Sequence, residues 1–191
     1  MQGRFLADIL RNRNNRAILD RWSMLALPDG WLVAGCLFQT VWNLQAGRSP
    51  VADIRDYDLF YFDPGDTSEE GESGVQERID EVLSDLGVTI EASNQARVHV
   101  WYESYFGQPY GELRSACEGI DRFLILATRV GVRPGEMYAP SGLALLYDGI
   151  LSMNPLVPHR ALFEGKARSY RERWPWLQIQ PDTIAAQSGT A

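Results

Sequence analysis

The sequence of 191 residues predicts an α/β (α+β) domain, a mixed β-sheet covered by helices with helical additions at both ends. Three observations carry this reading. Between residues 31 and 102, short apolar or alternating runs of strand length take turns with stretches whose apolar residues recur at helical spacing. The flanks, 5–25 and 159–173, show helical spacing alone. With 45% hydrophobic and 23% charged residues, the composition supports one well-packed core.

In order along the chain, Phe5, Ile9, Leu10, Ile18, Leu19 and Leu25 form the apolar stripe of a first helix over 5–25. Pro28-Asp29-Gly30 turns the chain into a strand at 31–34, which stops at Gly35-Cys36. Leu37, Val41 and Leu44 then mark a helix, and Gly47-Arg48-Ser49-Pro50 a loop. Residues 56–62 read as the second strand. A Gly-, Asp-, Ser- and Glu-rich loop over 63–74 leads into an amphipathic helix within 67–86, marked by Val75, Ile79, Val82, Leu83 and Leu86. After Gly87 comes a strand at 88–93, and the alternation over 97–102 predicts a fourth strand. Residues 107–110 are a turn and 120–130 an apolar stretch whose type the pattern leaves open. Helices follow over 142–151 and 159–173, the last ended by Trp174-Pro175. The expected organisation is a single domain over 1–180, with its core over about 30–130, a helical part over about 138–177 and a disordered tail over 181–191.

The chemistry concentrates at Asp56-Tyr57-Asp58. On a strand, the two aspartates share one face while Tyr57 and Leu59 anchor the other in the core. Carboxylates this close repel each other unless a cation lies between them, and hard oxygen ligands select Mg²⁺ or Mn²⁺. Upstream, the Gly35-Cys36 turn opens a helix whose first backbone N–H groups suit a phosphate. Downstream, the next strand carries a third carboxylate at Glu91.

Charge and composition narrow the partners. The net charge is −7, and the basic clusters, Arg11, Arg13, Arg16 with Arg21 and Lys166, Arg168, Arg171 with Arg173, have the spacing of solvated helix faces. A long nucleic acid is therefore the less expected acceptor. No apolar run approaches the eighteen or so residues that span a bilayer, and the N-terminus is amphipathic, so the expected location is cytoplasmic, with no membrane partner. Cys36 and Cys117 show neither disulfide nor zinc spacing.

Gly35-Cys36, Asp56-Tyr57-Asp58 and Glu91 together resemble the nucleotidyltransferase superfamily that includes polymerase β-like enzymes, whose pattern is a Gly-Ser or Gly-Gly turn, an acidic pair on the next strand and a third acid on a later one. More narrowly, the runs 35–43, 56–63, 94–102 and 138–143 are similar to a bacterial family of nucleotidyltransferase-like proteins of unassigned substrate, over most of 30–177. The resemblance implies the nucleotidyltransferase fold, with Asp56, Asp58 and Glu91 as the catalytic, metal-holding carboxylates. It also implies Gly35 and Cys36 as nucleotide-binding residues, and Arg97, on the expected strand after Glu91, is placed to pair with phosphate or with the acidic cluster itself. An NTP would then donate its nucleoside monophosphate to an acceptor hydroxyl, with Mg²⁺ or Mn²⁺ bound, the acceptor being a small molecule or protein rather than a long nucleic acid. Cys36 departs from the pattern's Ser or Gly, and the step from Gly35 to Asp56 is long. These departures keep open an alternative, a catalytically inactive relative that binds a nucleotide or partner protein.

Overall fold

The computed structural model describes residues 1–107 and 109–180, so the expected tail over 181–191 lies outside the described residues. The N-terminal stripe forms three short helices, α1 (Gln2–Ile9), α2 (Arg13–Asp20) and α3 (Trp22–Leu25), rather than the single helix expected over 5–25. The break has a local cause. Asn12 Oδ1 accepts from the backbone N–H groups of Asn14 at 3.0 Å and Asn15 at 3.4 Å, an N-cap that restarts the helix.

The expected alternation follows. β1 (Trp31–Val33) leads into α4 (Gly35–Gln45), β2 (Asp56–Tyr61), α5 (Glu69–Val82) and β3 (Thr89–Asn94). The Ser68 hydroxyl caps α5 by accepting from the Gly71 N–H at 3.0 Å, and Ser84–Leu86 closes the segment as a tight 3₁₀ turn. Residues 97–102 are not a strand. They belong to α6 (Val98–Phe106), because Asn94 turns the chain out of the sheet: its Oδ1 accepts from the N–H groups of Asp63 and Ala96, and its carbonyl from that of Arg97.

Beyond α7 (Ala116–Asp121), the apolar stretch over 120–130 is mostly irregular, with a 3₁₀ turn at Leu126–Thr128. A hairpin the sequence reading did not assign follows, β4 (Gly131–Arg133) and β5 (Glu136–Tyr138). The helix expected over 142–151 shrinks to α8 (Ala144–Asp148). Gly149, at φ 70°, stops it, and a Cβ there would lie 2.1 Å from the Trp176 ring. Residues β6 (Ile150–Leu151) instead pair in parallel with β7 (Gln178–Ile179), on either side of α9 (Arg160–Arg173).

The five-stranded sheet runs β3-β2-β1-β4-β5, parallel between β2 and β3 and antiparallel elsewhere. Its register pairs Leu32 with Leu59 and Tyr57 with Ile90, which turns these side chains into the main core with Leu37 and Val41 of α4 and Ile79 of α5. Trp31, Val33 and Phe60 face the other way, onto Ala116 and Ile120 of α7. Asp56 and Asp58 share this second face. No helix among the described residues is long and apolar enough to cross a membrane.

The N-terminal helices brace β2 through a buried polar knot. The Tyr57 hydroxyl accepts from Asn14 Nδ2 at 2.8 Å, and Asn12 Nδ2 donates to Thr40 Oγ1 at 3.0 Å. Asn15 Nδ2 donates to the Cys36 carbonyl at 2.9 Å. Because a buried amide left without its acceptor carries its full desolvation penalty uncompensated, Tyr57→Phe should destabilise the protein by about 1–3 kcal/mol. Urea unfolding of the two proteins measures this, with an unchanged slope and a lower midpoint as the expected result.

Candidate active site

The pleat of β2 sets the site. Tyr57 and Leu59 are buried at 1% and 0% exposure, so Asp56 and Asp58 are turned onto the opposite face, where they line a cavity of about 970 Å³. Ala34 and Gly35, at the start of α4, line the same cavity. Ala34 holds φ 61° and ψ −138°, a conformation L-residues rarely adopt, and swings the chain from β1 into the helix without a side-chain cap. The N-terminal amides of α4 are thus open at the rim, with the partial positive charge of the helix behind them. The Gly35 backbone comes close to both Gln39 and Asp56: a Cβ there would meet the flexible end of Gln39 at 2.5 Å, which would have to move, and lie in ordinary contact with Asp56 Oδ1 at 3.9 Å.

The predicted residues separate into two groups. Asp56, Asp58 and Gly35 come together on the cavity wall. Cys36 is adjacent, but it is not part of the cavity lining, and its thiol is fully buried and donates to the Val33 carbonyl at 3.2 Å. Burial, then the neighbouring Asp58, pushes that thiol well up, which keeps it protonated and inert. Glu91 pairs with Asp58 in the β2–β3 register and therefore shares its face, but it is exposed and lies outside the cavity lining. Among the described residues, no three His, Cys, Asp or Glu side chains form a group able to hold a metal ion. Arg97 is elsewhere. It caps α6, pairs with Glu72 and donates Nε–H to the Thr67 carbonyl at 3.2 Å, beside a smaller hollow with Ser93 and Trp101.

The sequence reading missed the opposite wall, which α9 supplies. His159, Leu162, Lys166, Ser169, Tyr170 and Arg173 all line the cavity, and their spacing places them along one face of the helix. The spacing of seven from His159 to Lys166 to Arg173 was the available signal. An aromatic joint docks this helix on α4: Trp42 lies 5.3 Å from both Tyr170 and Trp174, and Phe38 lies 5.5 Å from Tyr170. Trp174 Nε1 also donates to Asn43 Oδ1 at 3.0 Å. Arg173 Nη2 donates to Gln39 Oε1 at 2.7 Å and to the Asp53 carbonyl at 2.7 Å, which ties α9 back to the Gly35 turn.

The electrostatics is unbalanced in both signs. Asp58 is raised to about 7 because it is buried, with Asp56 and then Glu91 adding like charge and Lys166 relieving part of it. Lys166 is open to solvent at the cavity wall, and the surrounding protein lowers its ammonium while Asp58 and Asp56 pull it back up. Among the described residues, neither aspartate and neither Lys166 nor Arg55 engages a side-chain hydrogen bond or ion pair, although they share one cavity. The oxygen-only pair Asp56 and Asp58 fits a hard divalent cation, and the nearby cations fit an anion that such an ion would bring with it.

A folded-state value raised above the unfolded one means Asp58 destabilises the fold as it ionises. The cost is absent below about pH 4 and grows until the pH passes the folded value of about 7. Asp58→Asn should therefore be more stable than the parent at pH 8, by up to about 4 kcal/mol, and nearly equal to it near pH 4, as thermal melts across that range will read.

Comparison with known proteins bears on the family and the fold. A family profile described as Nucleotidyltransferase matches residues 20–179. An NMR structure described as revealing a CCA-adding enzyme head domain superposes with a TM-score of 0.74 at 23% identity, over 93% of this chain and 95% of that one. No curated protein sequence matches the chain. The chain belongs to the nucleotidyltransferase family.

Proposed function

We propose that the protein transfers a nucleoside monophosphate from an NTP to an acceptor hydroxyl, with the Asp56–Asp58 cavity as the reaction centre. One observation carries this: two carboxylates and two cationic side chains that make no side-chain hydrogen bond or ion pair among the described residues face one cavity whose rim is an open helix N-terminus. Such a cavity asks for a ligand that brings both signs, and a metal-bound triphosphate is that ligand. A divalent cation on Asp56 and Asp58, Mg²⁺ or Mn²⁺, supplies charge neutralisation at the α-phosphoryl and leaving pyrophosphate oxygens.

The chain's own residues do the rest. Lys166, Arg55 and the amides at Gly35 and Cys36 bind the triphosphate oxygens, and the Arg173–Gln39 contact keeps α9 seated over the turn. Glu91, beside Asp58 in register, is the carboxylate available to take the proton from an attacking hydroxyl. Positioning contributes most of the rate in such transfers. The net charge of −7 favours a small molecule or protein over a long nucleic acid as acceptor.

One feature favours the alternative of an inactive nucleotide-binding relative, namely the exposure of Glu91 outside the cavity. Pyrophosphate release from the four NTPs against pooled acceptors separates the two. An active enzyme releases it with at least one NTP, while the inactive relative binds nucleotide with none released.

Two outcomes are expected from binding alone. An NTP at a fixed concentration one hundred times its dissociation constant at pH 8 should stabilise the protein by about 2.7 kcal/mol there in the presence of Mg²⁺, and by less at pH 5, because Asp58 must lose its proton. Lys166→Met should weaken that binding by about tenfold or more through loss of a charged contact to phosphate. Asp63→Asn is the control, since Asp63 Oδ1 only accepts from the Gly65 N–H at 2.9 Å in a turn. Melts with and without Mg²⁺ read all three, and an unaltered response in Lys166→Met rules out the triphosphate role of α9.

A further inference from the structure

The cavity does not end at the carboxylates. Asp56, Asp58 and Phe60 follow one another along the same face of β2, about 6 to 7 Å apart. At the Asp56 end stand Gly35, Gln39, Arg55 and Arg173. At the Phe60 end the character changes. Phe123 packs on Phe60 with ring centroids 5.6 Å apart, and Arg122 and Tyr102 complete that part of the wall. The Arg122 guanidinium lies 5.1 Å from the Tyr110 centroid, and Tyr110 in turn lies 4.3 Å from Tyr102 with the planes 38° apart. The neighbouring Asp121 is committed to Arg129 and to the Tyr138 hydroxyl at 3.0 Å. Arg122 is thereby left without a carboxylate partner among the described residues, a guanidinium backed by aromatic rings and turned to a cavity.

In a phosphoryl or nucleotidyl transfer the attacking and leaving oxygens lie roughly in line across the phosphorus. The cations and helix amides that suit a pyrophosphate leaving group cluster at the Asp56 end, so the attacking hydroxyl approaches from the Phe60 end. We infer that the Tyr102–Arg122–Phe123 corner is the acceptor subsite, and that it takes an acceptor with a planar aromatic ring next to an anionic group. The ring stacks against Tyr102 and Phe123, and the anion meets Arg122, which a triphosphate held at the other end leaves unused. This assignment rests on the nucleotidyltransferase reading for its direction, but its binding chemistry can be tested without turnover.

The test titrates the full chain by calorimetry with phenyl phosphate, cyclohexyl phosphate and inorganic phosphate, each with and without saturating Mg²⁺ and the α,β-methylene analogue of ATP. Phenyl phosphate should bind about tenfold more tightly than cyclohexyl phosphate, as stacking on aromatic planes requires, and should remain bound when the nucleotide analogue is present. Arg122→Leu and Tyr102→Ala should each weaken it about tenfold while leaving affinity for the nucleotide analogue within about twofold. Should Arg122→Leu not fold, Arg122→Lys serves in its place: it keeps the charge but not the planar fork, so it should weaken phenyl phosphate and cyclohexyl phosphate in parallel while the preference for the flat ring, set by Tyr102 and Phe123, remains. The assignment is overturned by equal binding of the two organic phosphates, by displacement of phenyl phosphate by the nucleotide, or by variants that weaken phenyl phosphate and the nucleotide analogue alike. Phenyl phosphate bound through Arg122 in a protein that binds no nucleotide upholds the subsite chemistry and removes the donor reading, whereas nucleotide binding with no phenyl phosphate binding does the reverse.

Discussion

The pleat of β2 is the constraint from which the site follows. Tyr57 and Leu59 must be buried, because their apolar area stabilises the sheet against α4 and the N-terminal helices, and each full burial contributes on the order of 1.5–3 kcal/mol. With period two, that burial leaves Asp56 and Asp58 no face but the other one. A slip of one residue would bury two carboxylates and expose the core, so the register that holds the fold is the same register that presents the charges. The Asn12, Asn14 and Thr40 knot adds specificity by satisfying the Tyr57 hydroxyl only in this arrangement.

A carboxylate pair alone is a common surface feature, and what makes this pair a candidate centre is the wall built opposite it. Packing of Trp42, Tyr170 and Trp174 seats α9 on α4, and that seating carries Lys166 over Asp58 and Arg173 onto Gln39. The apolar joint and the charged face belong to one helix, so the hydrophobic contact sets the electrostatics. Charge placed this way in a concave site, next to a helix N-terminus, is preorganised for an anion whose own charge is balanced by a metal. Burial and the like charge of Asp56 raise the carboxyl of Asp58, which a neighbouring cation would relieve.

Much of this was legible in the residues themselves. The alternation over 31–94, the glycine turn, the acidic pair and the third carboxylate on the neighbouring strand are local patterns, and local patterns follow from pleat, helical period and cap chemistry that any chain of this sequence must obey. Local chemistry also explains most of the misreadings. The alternation at 97–102 looked like a strand because Val98 and Val100 flank His99, but Asn94 had already turned the chain and the helix formed instead. The stripe over 5–25 was broken by Asn12 in the same manner. A capping residue inside an apolar pattern outweighs the pattern's continuity, since it satisfies backbone N–H groups that the longer helix would satisfy in another way.

The sequence by itself determined which side chains share a face and which residue types carry the chemistry, because both depend on neighbours a few positions away. Only the tertiary structure decided which faces meet. Lys166 and Arg173 read as solvated surface until the aromatic joint brought a helix more than one hundred residues downstream against the Asp56–Asp58 strand. Arg97 read as a phosphate ligand until Glu72 and the start of α6 claimed it. Arg122 had no legible role at all, since its meaning lies in Asp121 choosing Arg129 and in Tyr110 and Tyr102 standing behind it. Long-range pairing of this kind is decided by burial and charge competition among distant segments, and no local period in the chain encodes it.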